Sequence, residues 1–185
     1  MLRVQSAKVR KVESLTQDGK VHNRIDGISK YFCIFAQLYL RKMRKLRIYL
    51  DNCSFNRPYD DQAYLLVHLE TEAKLFIQQA ILRQTFELVW SYMLDYENAA
   101  NPYNNRKQAI EKWKKIAILE IDASESVLNC GKKIMLKGIR NKDALHIACA
   151  IEGKCDYFLT TDKKILRTAF DEILVTNPID FIKIL

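Results

Sequence analysis

Met43-Arg-Lys-Leu-Arg-Ile-Tyr-Leu-Asp51 runs a short basic lead straight into an apolar stretch that stops on an acid. This is how a compact α/β domain begins: a first strand, Ile48-Tyr-Leu, delivers Asp51 to its carboxyl end. The pattern downstream agrees. Residues 60–82 place Leu65, Leu66, Leu69, Ala73, Phe76, Ile77, Ala80 and Ile81 at helical spacing behind an acidic start at Asp60-Asp61. Residues 86–91 read as a strand and 92–99 as a short helix stopped before Asn101-Pro102. A helix over 104–116 and a strand over 117–121 follow. Asp122-Ala-Ser-Glu125 opens another helix in N-cap style. Residues 141–152 form a helix ending at Gly153. A strand at 157–161, a helix at 163–170, a strand at 173–176 and a helical turn from Pro178 complete the chain. Strands alternating with helices predict a three-layer α/β/α domain with a mostly parallel five-stranded sheet over residues 47–185.

The first 46 residues read differently. Residues 1–26 are polar, basic and aperiodic, which predicts a poorly ordered arm. Ile28 to Leu40 is apolar and flanked by Arg41-Lys42 and Arg44-Lys45, so a helix over 28–45 is expected, packed on the body or bound to a membrane surface or a partner. Met43 offers an alternative start, which would make residues 1–42 an extension. The net charge is +8, and it belongs to this arm: residues 1–47 carry twelve Lys or Arg against three Asp or Glu, and the rest carry eighteen against nineteen. Five cysteines without a CxxC point to a reduced, cytoplasmic protein and exclude a disulfide scaffold or zinc finger. No apolar run is long enough for a membrane span.

In open parallel sheets, ligands bind outside the carboxyl ends of the strands. Asp51 ends the first strand, Asp162 follows the strand at 157–161, Asp143 lies in the first turn of the helix before that strand, and Glu97 lies on the short helix after residues 86–91. A parallel sheet can bring all four to one edge. Their repulsion there calls for a divalent cation, and all-oxygen ligands select Mg²⁺ or Mn²⁺.

Ile48-Tyr-Leu-Asp-Asn-Cys-Ser-Phe-Asn-Arg-Pro58 resembles the opening of a PIN-domain ribonuclease. Lys142-Asp-Ala-Leu-His-Ile-Ala-Cys-Ala150, followed by Cys155-Asp-Tyr-Phe-Leu-Thr-Thr-Asp162, resembles the second half of that family, and Ser91-Tyr-Met-Leu-Asp-Tyr-Glu97 its intervening Glu motif. The resemblance runs from about Arg47 onward. It implies that Asp51, Glu97, Asp143 and Asp162 are the catalytic acids and hold Mg²⁺ or Mn²⁺. It also implies that water activated by the cation attacks the phosphorus of single-stranded RNA in line. Many bacterial members resemble VapC-type toxins, which implies a homodimer and an antitoxin protein as partner. Asn52 and Thr161 are expected beside the cluster as hydrogen-bonders. Arg57, Lys137, Arg140 and Lys142 are expected to meet the RNA backbone, with Arg106 a further candidate.

Each acid also has an ordinary reading. Asp51 can end a turn, Asp143 suits the first turn of any helix, Asp162 can cap the helix after it, and Glu97 can be a solvated surface acid. Their joint order favours the site. Asp95, Glu70 and Glu72 compete with Glu97, while Asp156 precedes its strand and reads as a turn residue. His146, three residues after Asp143 on the same helical face, can touch the site but reads first as a core or boundary histidine, and Cys53, Cys149 and Cys155 read as small buried hydrophobes. The rivals to a nuclease are a non-catalytic RNA-binding or scaffold version of the fold, and a phosphotransfer domain using Asp51 as nucleophile. The segment after Asp51 lacks the Asp-x-Thr continuation of the haloacid-dehalogenase-like enzymes.

Overall fold

The structure, a computed structural model, describes residues 44–185. The expectations for the arm and for the helix at 28–45 lie, but for the last residues, outside the described residues. Arg44–Leu185 form one compact unit.

Five parallel strands make the sheet: β1 (Leu46–Leu50), β2 (Phe86–Ser91), β3 (Leu119–Ile121), β4 (Tyr157–Leu159) and β5 (Leu174–Thr176). Their order is β3-β2-β1-β4-β5. Every described pairing is parallel, so the sheet is wholly rather than mostly parallel. The chain steps outward from β1 to β3, then returns to the other side of β1 for β4 and β5. The β1–β4 boundary is therefore the point where the winding reverses, and a crevice opens at such a point.

Eight α-helices lie among the described residues: α1 (Asn52–Asn56), α2 (Leu65–Leu82), α3 (Tyr92–Ala99), α4 (Asn104–Glu111), α5 (Glu125–Met135), α6 (Asn141–Glu152), α7 (Lys163–Leu166) and α8 (Pro178–Lys183). Short 3₁₀ turns at Arg57–Tyr59 and Lys114–Ile116 join them.

The two-residue period of a strand sorts the core into two layers. Register pairs Ile48 with Leu88 and Tyr157, and Leu46 with Phe86, so these side chains share one face. Phe181 of α8 packs edge-on against Phe86 and Tyr157 at 5.5 and 4.9 Å, and Phe55 of α1 against Trp90 at 5.6 Å. α2 packs against α8 on this side. Tyr49 registers with Val89 and Phe158 on the opposite face, where α6 lies. There the Tyr49 ring stacks on Phe158 at 5.4 Å and meets His146 of α6 edge-on. α6 ends at Gly153, where a Cβ would stand 2.9 Å from Val89 Cγ1, so helix and sheet approach closely only because that residue is glycine. β1 is covered on both faces, and Ile48, Tyr49 and Leu50 are fully buried.

Several helix ends differ from the sequence pattern. Residues 60–64 form a turn and α2 starts at Leu65. Arg57 bonds Asp60, and Gln62 bonds the Arg57 and Asp60 carbonyls, which gives this acidic stretch polar partners outside a helix. The helix expected over 104–116 breaks after Glu111 into a 3₁₀ turn. The helix expected over 163–170 stops at Leu166. The helix α1 directly after Asp51 has no counterpart in the sequence reading. No described helix is long and apolar enough to cross a membrane.

Phe181 is the fully buried side chain that ties the last helix to two strands. Phe181→Ala is expected to lower unfolding stability by about 3–5 kcal/mol, read as a fall in the denaturant midpoint. An unchanged midpoint would mean that α8 adds nothing to the core.

Candidate functional site

The carboxyl end of β1 sets the site. Asp51 is the first residue beyond the strand, and its N–H donates to the Leu159 carbonyl at 3.0 Å, continuing the β1–β4 ladder by one step. The chain then turns directly into α1, with Asp51 as N-cap. Its side chain is buried and held at both oxygens. Oδ1 accepts from Asn52 N at 2.7 Å, and Oδ2 accepts from Thr160 Oγ1 at 2.8 Å and Cys53 Sγ at 3.0 Å. Burial pushes the Cys53 thiol up to about 12, so it stays a donor to Asp51 at neutral pH. Thr161 also stands here, but it contributes its backbone N–H to Cys53 Sγ. The hydroxyl on Asp51 belongs to Thr160, one residue earlier.

Asp162 follows β4 and caps α7: its Oδ1 accepts from Lys164 N at 2.7 Å and Ile165 N at 3.1 Å. Asp143 sits in the first turn of α6. Glu97 lies on α3, which Ser91 starts by accepting from Leu94 N.

The field at Asp143 shows that these acids converge. Burial raises its carboxyl above the usual aspartate range, and the charges of Asp51, Asp162 and Glu97 raise it further. Among the described residues, no Lys or Arg forms an ion pair with any of the four acids. Glu97 behaves in the opposite way. The His146 ring beside it holds its carboxyl below the usual range, with help from Asn52 and Lys142 and against the effect of burial.

Two acids two residues apart on α3 have separate work. Asp95 accepts from Trp90 Nε1 at 2.9 Å and from Lys114 Nζ at 2.8 Å, which ties it to the core rim. Glu97 is the one whose charge reaches Asp143. Glu70 is buried and bound by Asn177 Nδ2 at 2.6 Å, with Arg57 Nε 2.9 Å away. Asp156 accepts from Arg47 N at 2.9 Å at the opposite end of the sheet, as a turn residue there should.

Of the basic residues, Arg57 is engaged by Glu70 and Asp60, with Nη1 2.8 Å from Asp60 Oδ2. Lys137 donates to the Ala169 carbonyl at 2.9 Å and lies over the Phe170 ring. Lys142 lies over Tyr96 and lowers the Glu97 carboxyl, so it borders the site. Arg140 is exposed at the start of α6. A cleft of about 310 Å³ opens beside Glu97, lined by Asn52, Asn56, Asn101, Tyr103 and Arg106 among others. The Arg106 guanidinium stacks on Tyr103 at 4.0 Å and reaches Tyr59 at 5.0 Å. Larger clefts of about 520 and 390 Å³ lie at the amino-terminal end of the strands, away from the acids.

The donor set suits a hard divalent cation in charge and atom type: four carboxylates without Lys or Arg ion pairs among the described residues, one of them raised by burial and by the other three. Their spacing is more open than a closed ligand shell. Among the described residues, no three His, Cys, Asp or Glu side chains stand close enough to hold a metal ion as they are placed.

His146 fits both of its sequence readings. It is fully buried, as a core histidine should be, yet its Nε2 lies 3.3 Å from Glu97 Oε2. The signal was its position three residues after Asp143, on the same face of α6.

An all-parallel five-stranded sheet in the order β3-β2-β1-β4-β5, packed with helices, defines a protein of the α/β class. The PIN domain family model matches residues 48–171, and the chain belongs to that family. Its members are generally nucleases. Among solved structures, the chain is similar to one described as the crystal structure of VapBC2 from Rickettsia felis bound to a DNA fragment from their promoter. The TM-score is 0.46 and the identity 15%, covering 71% of this chain and 98% of that one. No curated protein matches the chain.

Without metal, the raised Asp143 carboxyl has a measurable consequence. A carboxyl raised on folding costs stability once pH rises through its folded-state value, and costs nothing below its unfolded value. Asp143→Asn is therefore expected to raise Tm at pH 7 in EDTA. The gain should shrink as pH falls and vanish below the ordinary aspartate range. A variant equally or less stable at pH 7 would mean that the four acids do not share one field.

Proposed function

We propose that this chain is a divalent-metal-dependent endoribonuclease of single-stranded RNA, with the activity in residues 47–185 and residues 1–46 as a basic extension. The observation that carries the reading is the electrostatic one: Asp143 is raised first by burial and then by the charges of Asp51, Asp162 and Glu97 from separate elements, and no Lys or Arg of the described residues pairs with them. Asp51, Glu97, Asp143 and Asp162 would hold Mg²⁺ or Mn²⁺, which supplies an activated water and neutralises charge on the phosphodiester.

The chain's own part is to keep the donors in place and to guide the strand. Thr160, Cys53 and the Asn52 amide fix the Asp51 carboxylate, so its position does not depend on solvent. Asp162 gives one oxygen to the amides of α7, and its other oxygen faces no partner among the hydrogen bonds of the described residues. The cleft beside Glu97 offers the RNA an amide-rich wall and the Tyr103–Arg106 stack. A stacked guanidinium keeps its N–H edge for phosphate while the exposed ring offers a face to a base. Arg140 and Lys142 border the acids from the start of α6. Arg57 and Lys137 are weaker candidates for the strand because protein partners already engage them.

The reading includes a protein partner. Tyr64, Leu65, Leu69 and Phe76 are exposed at or near the start of α2 and along it, at spacing that puts the last three on one stripe. A second copy of the chain or an antitoxin would cover them, and the mass of the purified protein in solution separates the two.

Purified protein is expected to cut a labelled single-stranded RNA with Mg²⁺ or Mn²⁺ and to stop in EDTA. Changing a residue that only supports a ligand typically costs 10–100-fold, so Asp51→Asn, which removes a ligand, should lower the rate at least ~100-fold. Undiminished cutting by the variant would sink the site assignment. No cutting by the parent under any metal would favour a non-catalytic RNA-binding form of the fold.

A further inference from the structure

We propose that His146 is a positioning residue for Glu97, aimed along the α6 face of the sheet by a hydrogen-bond chain that starts at Ser91 and passes through Tyr49. The proposal goes beyond the nuclease reading, and rests on it only for the use made of Glu97.

Two buried hydrogen bonds and one close approach make the chain. Tyr49 Oη lies 2.6 Å from Ser91 Oγ and 2.7 Å from His146 Nδ1, and His146 Nε2 lies 3.3 Å from Glu97 Oε2. Ser91, Tyr49 and His146 are all fully buried. Nε2 has no hydrogen bond of good geometry in the protein, so Glu97 is the acceptor it can reach.

Counting hydrogens sets the direction. A bare Nε2 lone pair facing a carboxylate would be repelled, so Nε2 must carry the ring hydrogen. In the neutral ring Nδ1 is then an acceptor. Its partner, Tyr49 Oη, must donate. Burial raises the Tyr49 phenol well above its ordinary range, so its hydrogen is present at every working pH. Tyr49 in turn can accept from Ser91, whose Oγ accepts from Leu94 N at the start of α3. Glu97 lies on that same helix. The chain therefore leaves α3 at its first turn, crosses β2 and β1, and returns to α3 through α6. It closes a loop that fixes the Glu97 side chain relative to the sheet. A buried Nε2 left without its acceptor is costly, so the ring holds Glu97 as much as Glu97 holds the ring.

Two measurements on the full chain test this. The first is the ¹⁵N spectrum of the His146 ring in the metal-free parent protein at about pH 8, where an unperturbed histidine is neutral. The expected result is hydrogen on Nε2 alone, and Tyr49→Phe should lose that fixed form. Hydrogen on Nε2 in either ring form supports the proposal, and hydrogen on Nδ1 alone would overturn it. The second is calorimetric binding of Mn²⁺ alone, without RNA. His146→Phe keeps a buried ring but no donor, and is expected to weaken Mn²⁺ binding about 10–100-fold. His146→Gln, which returns an N–H near the Nε2 position, should recover most of it. Equal binding by the parent and a folded His146→Phe would overturn the proposal. If the parent binds no Mn²⁺, the metal reading fails instead, and the ring spectrum still decides the role of His146.

Discussion

The pairing of β1 with β4 is the constraint on which the acidic edge depends. Four carboxylates repel one another, and free chain would let them separate. Here the Asp51 amide is bonded to the Leu159 carbonyl, and the Asp51 carboxylate is bonded to the Thr160 hydroxyl. One backbone bond and one side-chain bond thus join the ends of two strands that lie far apart in sequence. The hydrophobic burial of β1 on both faces provides the driving force that keeps this pairing closed. Stability made in the core is used at the edge to hold charges together.

The edge is also asymmetric. Asp143 is raised by burial and by its acidic neighbours, whereas Glu97 is lowered by an imidazole. The four acids are therefore not equivalent: the imidazole beside Glu97 favours its charged form, whereas burial and three acidic neighbours disfavour that of Asp143. Both features follow from the helix arrangement. α6 delivers Asp143 from its first turn and His146 from its second, so one helix supplies an acid to the cluster and the residue that orients another acid.

Much of this was legible in the chain. The segments Phe86–Ser91, Tyr92–Ala99 and Asn141–Glu152 stand where the apolar spacing, the proline stop and the closing glycine put them. The places where the pattern misled are polar. Asp60-Asp61 look like a helix start, but side-chain bonds from Arg57 and Gln62 hold them in a turn. Helix α1 is only five residues long, too short for a periodic signal to stand out. The threonine that touches Asp51 is Thr160 and not Thr161, because side chains alternate as the chain leaves β4, and one step decides which hydroxyl points inward.

The sequence by itself determined the alternation of strands and helices, the order of the four acids and the element that carries or precedes each, because periodicity and chain direction are local properties. Only the tertiary structure decided which neighbouring side chains work with those acids. Asp95 and Glu97 are two residues apart on one helix and look alike in sequence. Trp90 and Lys114 claim the first, and His146 meets the second. Tyr49 and His146 are 97 residues apart and share a hydrogen bond inside the core. Such contacts depend on how β1, β2 and α6 pack together, and no local pattern of residues encodes that distance.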